Sequence, residues 1–94
     1  MTRVVVHLAA PIRALAEQRD RVTLDAPGGT VGSALDALGV AWPALRDRVL
    51  TEQGELRPHV NVFVGDESIR FTGGLGTPVP HGAEIWILPA VSGG

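Results

Sequence analysis

The chain opens with alternating sides: Val4, Val6 and Leu8 share one face of an extended segment from Arg3 to Leu8, and Val5 and His7 share the other. A period of two predicts a strand with one buried face. Pro11 suits the first position of a short helix running to about Gln18, because a helix start leaves that N–H unpaired in any case. Arg21 to Asp25 repeats the strand pattern with Val22 and Leu24 inward, and Pro27-Gly28-Gly29 breaks it. The period then changes. Val31, Ala34, Leu35 and Leu38 stand at i, i+3, i+4 and i+7, one apolar stripe of a helix. Thr30 is placed to cap its first turn, and Gly39 to end it in a left-handed conformation.

Downstream, Pro43 starts a second short helix carrying Leu45 and Val49, and Thr51 to Arg57 reads as a polar loop. Val60, Val62 and Val64 share one face of a third strand, with Asn61 and Phe63 on the other. Gly65-Asp66 turns the chain into Ser68 to Phe71, Gly73-Gly74 and Gly76 mark a loop, and Pro80 to Gly82 a further turn. In the last strand, Glu84 to Leu88, Ile85 and Ile87 point one way and Trp86 and Leu88 the other. Four or five short strands and one stripe-bearing helix predict an α+β fold, a sheet with the helix on one face and solvent on the other. The expected inward set is Val4, Val6, Leu8, Val62, Val64, Ile85 and Ile87, with Leu35 and Leu38 from the helix.

With 94 residues the chain is expected to form one domain, residues 1–89, followed by a tail, residues 90–94. Cysteine is absent, which removes disulfides, thiolate metal sites and a cysteine nucleophile together. The formal net charge is −2, and all eight basic residues are scattered arginines. That pattern lacks the basic stripe of a nucleic-acid binder. Without lysine, no internal ε-amine can attack an activated C-terminus. No apolar run approaches the roughly 20 residues of a membrane span. The stretch from Arg3 to Ala16 superficially resembles a secretion signal, but His7 and Arg13 interrupt it, so a cytoplasmic location is the expectation.

Two features remain once the fold is drawn. The chain ends Ala90-Val91-Ser92-Gly93-Gly94 without a fold signal. Frayed ends of small residues are common. A diglycine end is also a flexible arm, free of Cβ atoms at its tip, that fits a narrow channel in another protein and leaves its carbonyl carbon open to attack. The carboxylate, with a pKa near ~3.5, is ionised at neutral pH and a poor electrophile, so it needs activation, most simply by AMP transfer from ATP. Sulfide or a persulfide can then displace AMP and leave a thiocarboxylate. Secondly, Phe63, Trp86 and Leu88 point away from the helix. Either they form an exposed contact patch, or the loop carrying Leu75 folds over them as a secondary core.

Other chemistries find less support. His7, His59 and His81 are far apart, without the paired spacing of a zinc site. Gly73-Gly74-Leu75-Gly76-Thr77 lacks the lysine of a phosphate loop and the helix after it. No Ser-His-Asp set can be argued. Asp66 and Glu67 are either a contact for a partner's arginine or plain solvated charge.

The segment Pro89-Ala90-Val91-Ser92-Gly93-Gly94, entered from an apolar strand, resembles the C-terminus of the ThiS/MoaD sulfur carriers. The nearer resemblance is to the CysO type, the carrier of a cysteine biosynthesis route. There, Val60-Asn61-Val62-Phe63-Val64, Ile69-Arg70-Phe71-Thr72-Gly73-Gly74-Leu75 and Leu88-Pro89-Ala90-Val91 have near counterparts. The likeness spans nearly the whole chain, strongest from Val60 onward and weak between Pro11 and Arg21. It implies the β-grasp fold of ubiquitin and a protein co-substrate rather than an enzyme, a monomer when free, with no bound cofactor or metal.

By the same resemblance, an E1-like partner using ATP and Mg adenylates Gly94, which becomes the thiocarboxylate, while Gly93, Ser92 and Val91 thread into the partner. The thiocarboxylate attacks an aminoacrylate bound to pyridoxal phosphate on a cysteine synthase. After an S-to-N acyl shift, a JAMM-type zinc metalloprotease releases cysteine. Ser92 stands where relatives often carry alanine or threonine, and its small side chain should still fit a channel. Phe63, Trp86, Leu88 and Leu75 are the expected partner-binding residues; the family's partner surface includes the Leu88 position. Carrier chemistry for molybdopterin, thiamine or a sulfur-containing secondary metabolite stays open, as does a ubiquitin-like interaction module without sulfur transfer.

Overall fold

The computed structural model describes residues 2–89. Val91, Ser92, Gly93 and Gly94, the expected tail site, lie outside the described residues.

The alternating segments form five strands: β1 (Arg3–Leu8), β2 (Arg21–Asp25), β3 (Val60–Val64), β4 (Glu67–Ser68) and β5 (Glu84–Pro89). They join in one sheet of order β2-β1-β5-β3-β4. β1 and β5, the two ends of the described chain, pair in parallel at its centre, and the other pairs are antiparallel. With helix α1 (Val31–Ala41) and the shorter α2 (Pro43–Val49), this is the mixed-sheet β-grasp arrangement.

The period-two reading of each strand survives in its burial. Val4, Val6, Leu8, Val62, Ile85 and Ile87 are all buried and meet the stripe of α1, where Val31, Ala34, Leu35 and Leu38 are fully buried. Burying each large side chain of this set contributes about 1.5–3 kcal/mol, which offsets the entropy of ordering a short chain. Val64, also of the expected inward set, is only half-buried but packs against the same core cluster. The core also takes in residues outside that set and outside the helix stripes. Ile12, Ile69 and Val79 are buried, each an isolated apolar position in an irregular segment that shows no period.

Helix α1 starts as its sequence directs. Thr30 Oγ1 accepts the Ser33 N–H and Ser33 Oγ accepts the Thr30 N–H, both at 3.2 Å, a reciprocal cap that satisfies two groups otherwise left unpaired. Its end differs from expectation. The helix runs through Gly39 to Ala41, with the Trp42 N–H bonded to the Leu38 carbonyl at 2.9 Å. Gly39 has no positive φ. Its value lies instead in close approach, since a Cβ there would fall 2.4 Å from Arg46 Cδ on α2. Arg46 Nη2 reaches back to Asp36 Oδ1 at 3.2 Å, so the missing side chain lets α2 lie against α1.

The first short helix is a 3-10 helix, Ala10–Ala16, ended by Glu17 and Gln18, which have φ of 56° and 64°. After the Gly65-Asp66 turn, strand geometry lasts only for Glu67–Ser68, and Ile69–Phe71 turns into another 3-10 helix. The glycine-rich loop is bound to the start of α1. The Val31 N–H donates to the Thr77 carbonyl at 3.0 Å, and Val79 N–H to Gly29 at 2.8 Å. Leu75 rests there too, its carbonyl 3.2 Å from where a Gly32 Cβ would stand.

Candidate functional site

Alternation sends the second set of each strand to the face without helices, and strand order decides which of these residues become neighbours. β5 lies between β1 and β3, so Trp86 is opposite His7 on one side and Phe63 on the other. The His7 and Trp86 rings stack with centroids 3.7 Å apart and planes 7° from parallel. His7 Nε2 bonds to Glu84 Oε1 at 2.7 Å, a side chain two residues before Trp86 on the same face of β5. One imidazole is thereby held at its edge by a carboxylate and over its face by an indole. A stack of this kind contributes ~0.5–1.5 kcal/mol beyond burial and restricts the rotamer of both rings.

The result is a three-strand aromatic row, His7, Trp86 and Phe63, extended toward the end of β5 by Leu88 opposite Asn61. Trp86 is 39% and Leu88 37% exposed. Phe63 is half-buried. Of the two readings of this patch, the covered one does not hold: the loop carrying Leu75 lies on the helix side, and Leu75 packs against the core cluster. The expected grouping of Leu75 with Phe63, Trp86 and Leu88 on one surface is therefore corrected. Its cause is the anchoring of residues 77–79 to α1, which pulls the loop around the sheet's edge.

His7 and Glu84 belong to this face and were not among the expected site residues. The outward alternation of His7 was a signal, but only the parallel pairing of β1 with β5 makes it a neighbour of Trp86. Phe71, at 88% exposure, is another apolar side chain left in solvent.

The patch ends near the point where the described chain stops. Pro89 is opposite Val60, the first residue of β3, so the segment 90–94 continues directly from the strand that carries Trp86 and Leu88. The start of β3 is fastened by Arg70. Its Nη2 donates to the carbonyls of Arg57, Pro58 and Val60 at 3.3, 3.1 and 2.6 Å. Arg57 in turn donates from Nε to the Asp47 carbonyl on α2 at 2.8 Å. Charge-assisted bonds to carbonyls are roughly twice as strong as neutral ones, and they hold an irregular stretch containing Pro58.

The histidines stay apart. His7 pairs with Glu84, His81 Nδ1 accepts the Arg3 N–H at 3.1 Å, and His59 lines a cleft at the other end of the sheet. No group of three or more His, Cys, Asp or Glu that could hold a metal occurs among the described residues. Nor is any described helix long and apolar enough to cross a membrane. The described residues thus present an exposed aromatic face on the strand that precedes residues 90–94.

Known proteins share this fold. The ThiS family model matches residues 6–94. The sulfur carrier protein CysO of Mycobacterium tuberculosis is 36% identical over 74 residues, 77% of this chain and 80% of the relative. Small archaeal modifier protein 1 of Haloferax volcanii is 45% identical over 74 residues, 78% of this chain and 80% of that protein. Among solved structures, the Amycolatopsis orientalis BexX/CysO complex contains a chain that matches with a TM-score of 0.84 and 33% identity, covering 97% of this chain and 99% of that one. A β-grasp sheet whose last strand bears the exposed aromatic patch, and a sequence matched from the first strand through Gly94, make this chain a member of the ThiS family of sulfur carriers.

Proposed function

We propose that the protein carries sulfur as a thiocarboxylate on the Gly94 carboxyl group. A carboxylate oxygen attacks the α-phosphorus of ATP in an E1-like partner, forming the acyl-adenylate and releasing pyrophosphate. Hydrosulfide then attacks the carbonyl carbon, the bond to AMP breaks, and AMP leaves with the electron pair. The chain contributes position rather than catalysis. The observation that carries the reading is that β5 bears both parts: Trp86 and Leu88 stand exposed along it, and residues 90–94 follow from its end. A partner gripping the first part is within reach of the second. ATP and Mg belong to that partner, not to the carrier.

Cysteine formation is the favoured destination, with a pyridoxal phosphate-dependent cysteine synthase as acceptor and a JAMM-type metalloprotease releasing the product; identity to a protein named sulfur carrier protein CysO supports it. Identity to small archaeal modifier protein 1 favours a second reading, attachment of Gly94 to amines of other proteins after the same activation. The cytoplasm, where ATP is available, is the location this chemistry requires.

Intact-mass spectrometry of protein purified from its own host tests the proposal. A fraction with one oxygen-to-sulfur exchange, mapped to Gly94, is expected. Deleting Gly94 should abolish it while leaving the thermal midpoint unchanged. Carboxylate alone, even after incubation with the cognate activating enzyme, ATP and a sulfur donor, sinks the carrier reading.

A further inference from the structure

The two ends of the sheet differ in charge. At the start of β1 and β5 stand Asp25, Asp66, Glu67 and Glu84, with Arg3 opposite Asp25. Around the other end, where β5 leaves the sheet, basic groups collect. Arg13 Nε donates to the Leu8 carbonyl at the end of β1, at 2.9 Å. Arg70 Nη2 donates to the carbonyls of Arg57, Pro58 and Val60, and Arg57 Nε to the Asp47 carbonyl. Between these lies a cleft of about 110 Å³ with a floor of Ile12, Val49, Val60 and Ile87, rimmed by Arg48 and His59. Both rim residues are exposed. No carboxylate lines the cleft among the described residues; Asp20 and Asp47 stand on neighbouring segments, Asp20 lining the groove beside Arg13.

We infer that this apolar cleft and its Arg48-bearing rim form a second docking point, filled by an apolar side chain of the enzyme that activates Gly94 and flanked there by that enzyme's carboxylates. The inference rests on the carrier reading and adds a partner surface to it. Reach is the first argument. An extended chain spans at most ~3.3–3.6 Å per residue, so residues 90–94 extend no more than roughly 18 Å beyond Pro89. An enzyme that takes Gly94 into a channel must therefore bring the channel mouth close to the Val60–Pro89 pair. Val60 is itself part of the cleft floor, so that mouth comes down over the cleft.

Charge is the second argument. A basic rim around an apolar centre repels a basic mouth and attracts an acidic one, and rim charges act chiefly on association rate and orientation. The outer aromatic face then supplies apolar contact, and the basic end aims the tail. A chain with an acidic end and a basic end enters one way round.

The test measures activation of the intact protein by its cognate adenylating enzyme at several salt concentrations. Arg48→Glu combined with His59→Glu is expected to raise KM roughly tenfold or more at low salt, to leave kcat unchanged, and to flatten the salt dependence of association. Arg48→Gln, which keeps the side-chain length, should show a smaller change in the same direction, and circular dichroism checks the fold of both. Leu88→Ala, which changes no charge, should weaken binding without altering the salt slope. Wild-type KM and salt slope in both rim variants overturn the inference while leaving sulfur carriage intact. If the wild-type protein is not adenylated at all, the carrier reading fails and the docking point falls with it. Tight, Arg48-dependent binding of a single-stranded oligonucleotide, without an effect on activation, reassigns the basic end and also overturns the proposal.

Discussion

The two faces of the sheet are built from the same strands and the same alternation, yet they serve different ends. On the inner face Val4, Val6, Val62, Ile85 and Ile87 meet the stripe of α1, and all are at most 1% exposed. On the outer face Trp86 and Leu88 keep more than a third of their surface in solvent. A small domain cannot leave apolar area exposed without cost to solubility, and the outer face has no helix to cover it. Inner positions hold the folding free energy, and under the proposed function the outer positions set affinity for a partner.

Substitutions can break that contrast. Leu35→Ala, at a fully buried position facing the sheet, is expected to cost about 2–5 kcal/mol of stability, read from denaturant unfolding, while activation per folded molecule stays at the wild-type level. Leu88→Asp should do the opposite: an affinity loss of roughly 1–3 kcal/mol for the activating enzyme, measured by titration calorimetry, with the denaturation midpoint nearly unmoved. Unchanged affinity would mean that the exposed face is not the docking face. The smallest effect is expected from His7→Ala. It removes the stack on Trp86 and the bond to Glu84, and should cost ~0.5–1.5 kcal/mol in partner affinity by loosening the indole. Trp86 fluorescence anisotropy should fall with it; an equally rigid indole in the variant counts against the buttressing role.

Legibility followed period. The strands β1, β2, β3 and β5, the stripe of α1 and the start of α2 were readable, because repeated apolar spacing reports a buried face directly. The outward direction of Phe63, Trp86 and Leu88 came from the same reading. Gly39 misled, because a glycine after an apolar stripe serves equally as a stop or as a place of close packing, and Arg46, seven residues on, decides between them. Leu75 was misplaced for a related reason. Its loop has no period, and its position depends on hydrogen bonds from Val31 to Thr77 and from Val79 to Gly29 across the fold. The roles of Ile12 and Ile69 in the core were hidden likewise.

By itself, the amino-acid order determined the elements, the buried side of each long strand and the diglycine ending, since these depend on local geometry and on apolar spacing along the chain. Tertiary structure alone decided that β5 would lie between β1 and β3. That placement puts His7 and Phe63 on either side of Trp86, carries the glycine-rich loop to the helix side, and gathers arginines from distant segments at the end where β5 leaves the sheet. The physical reason is that strand pairing and charge act through space, between residues that sequence spacing keeps far apart.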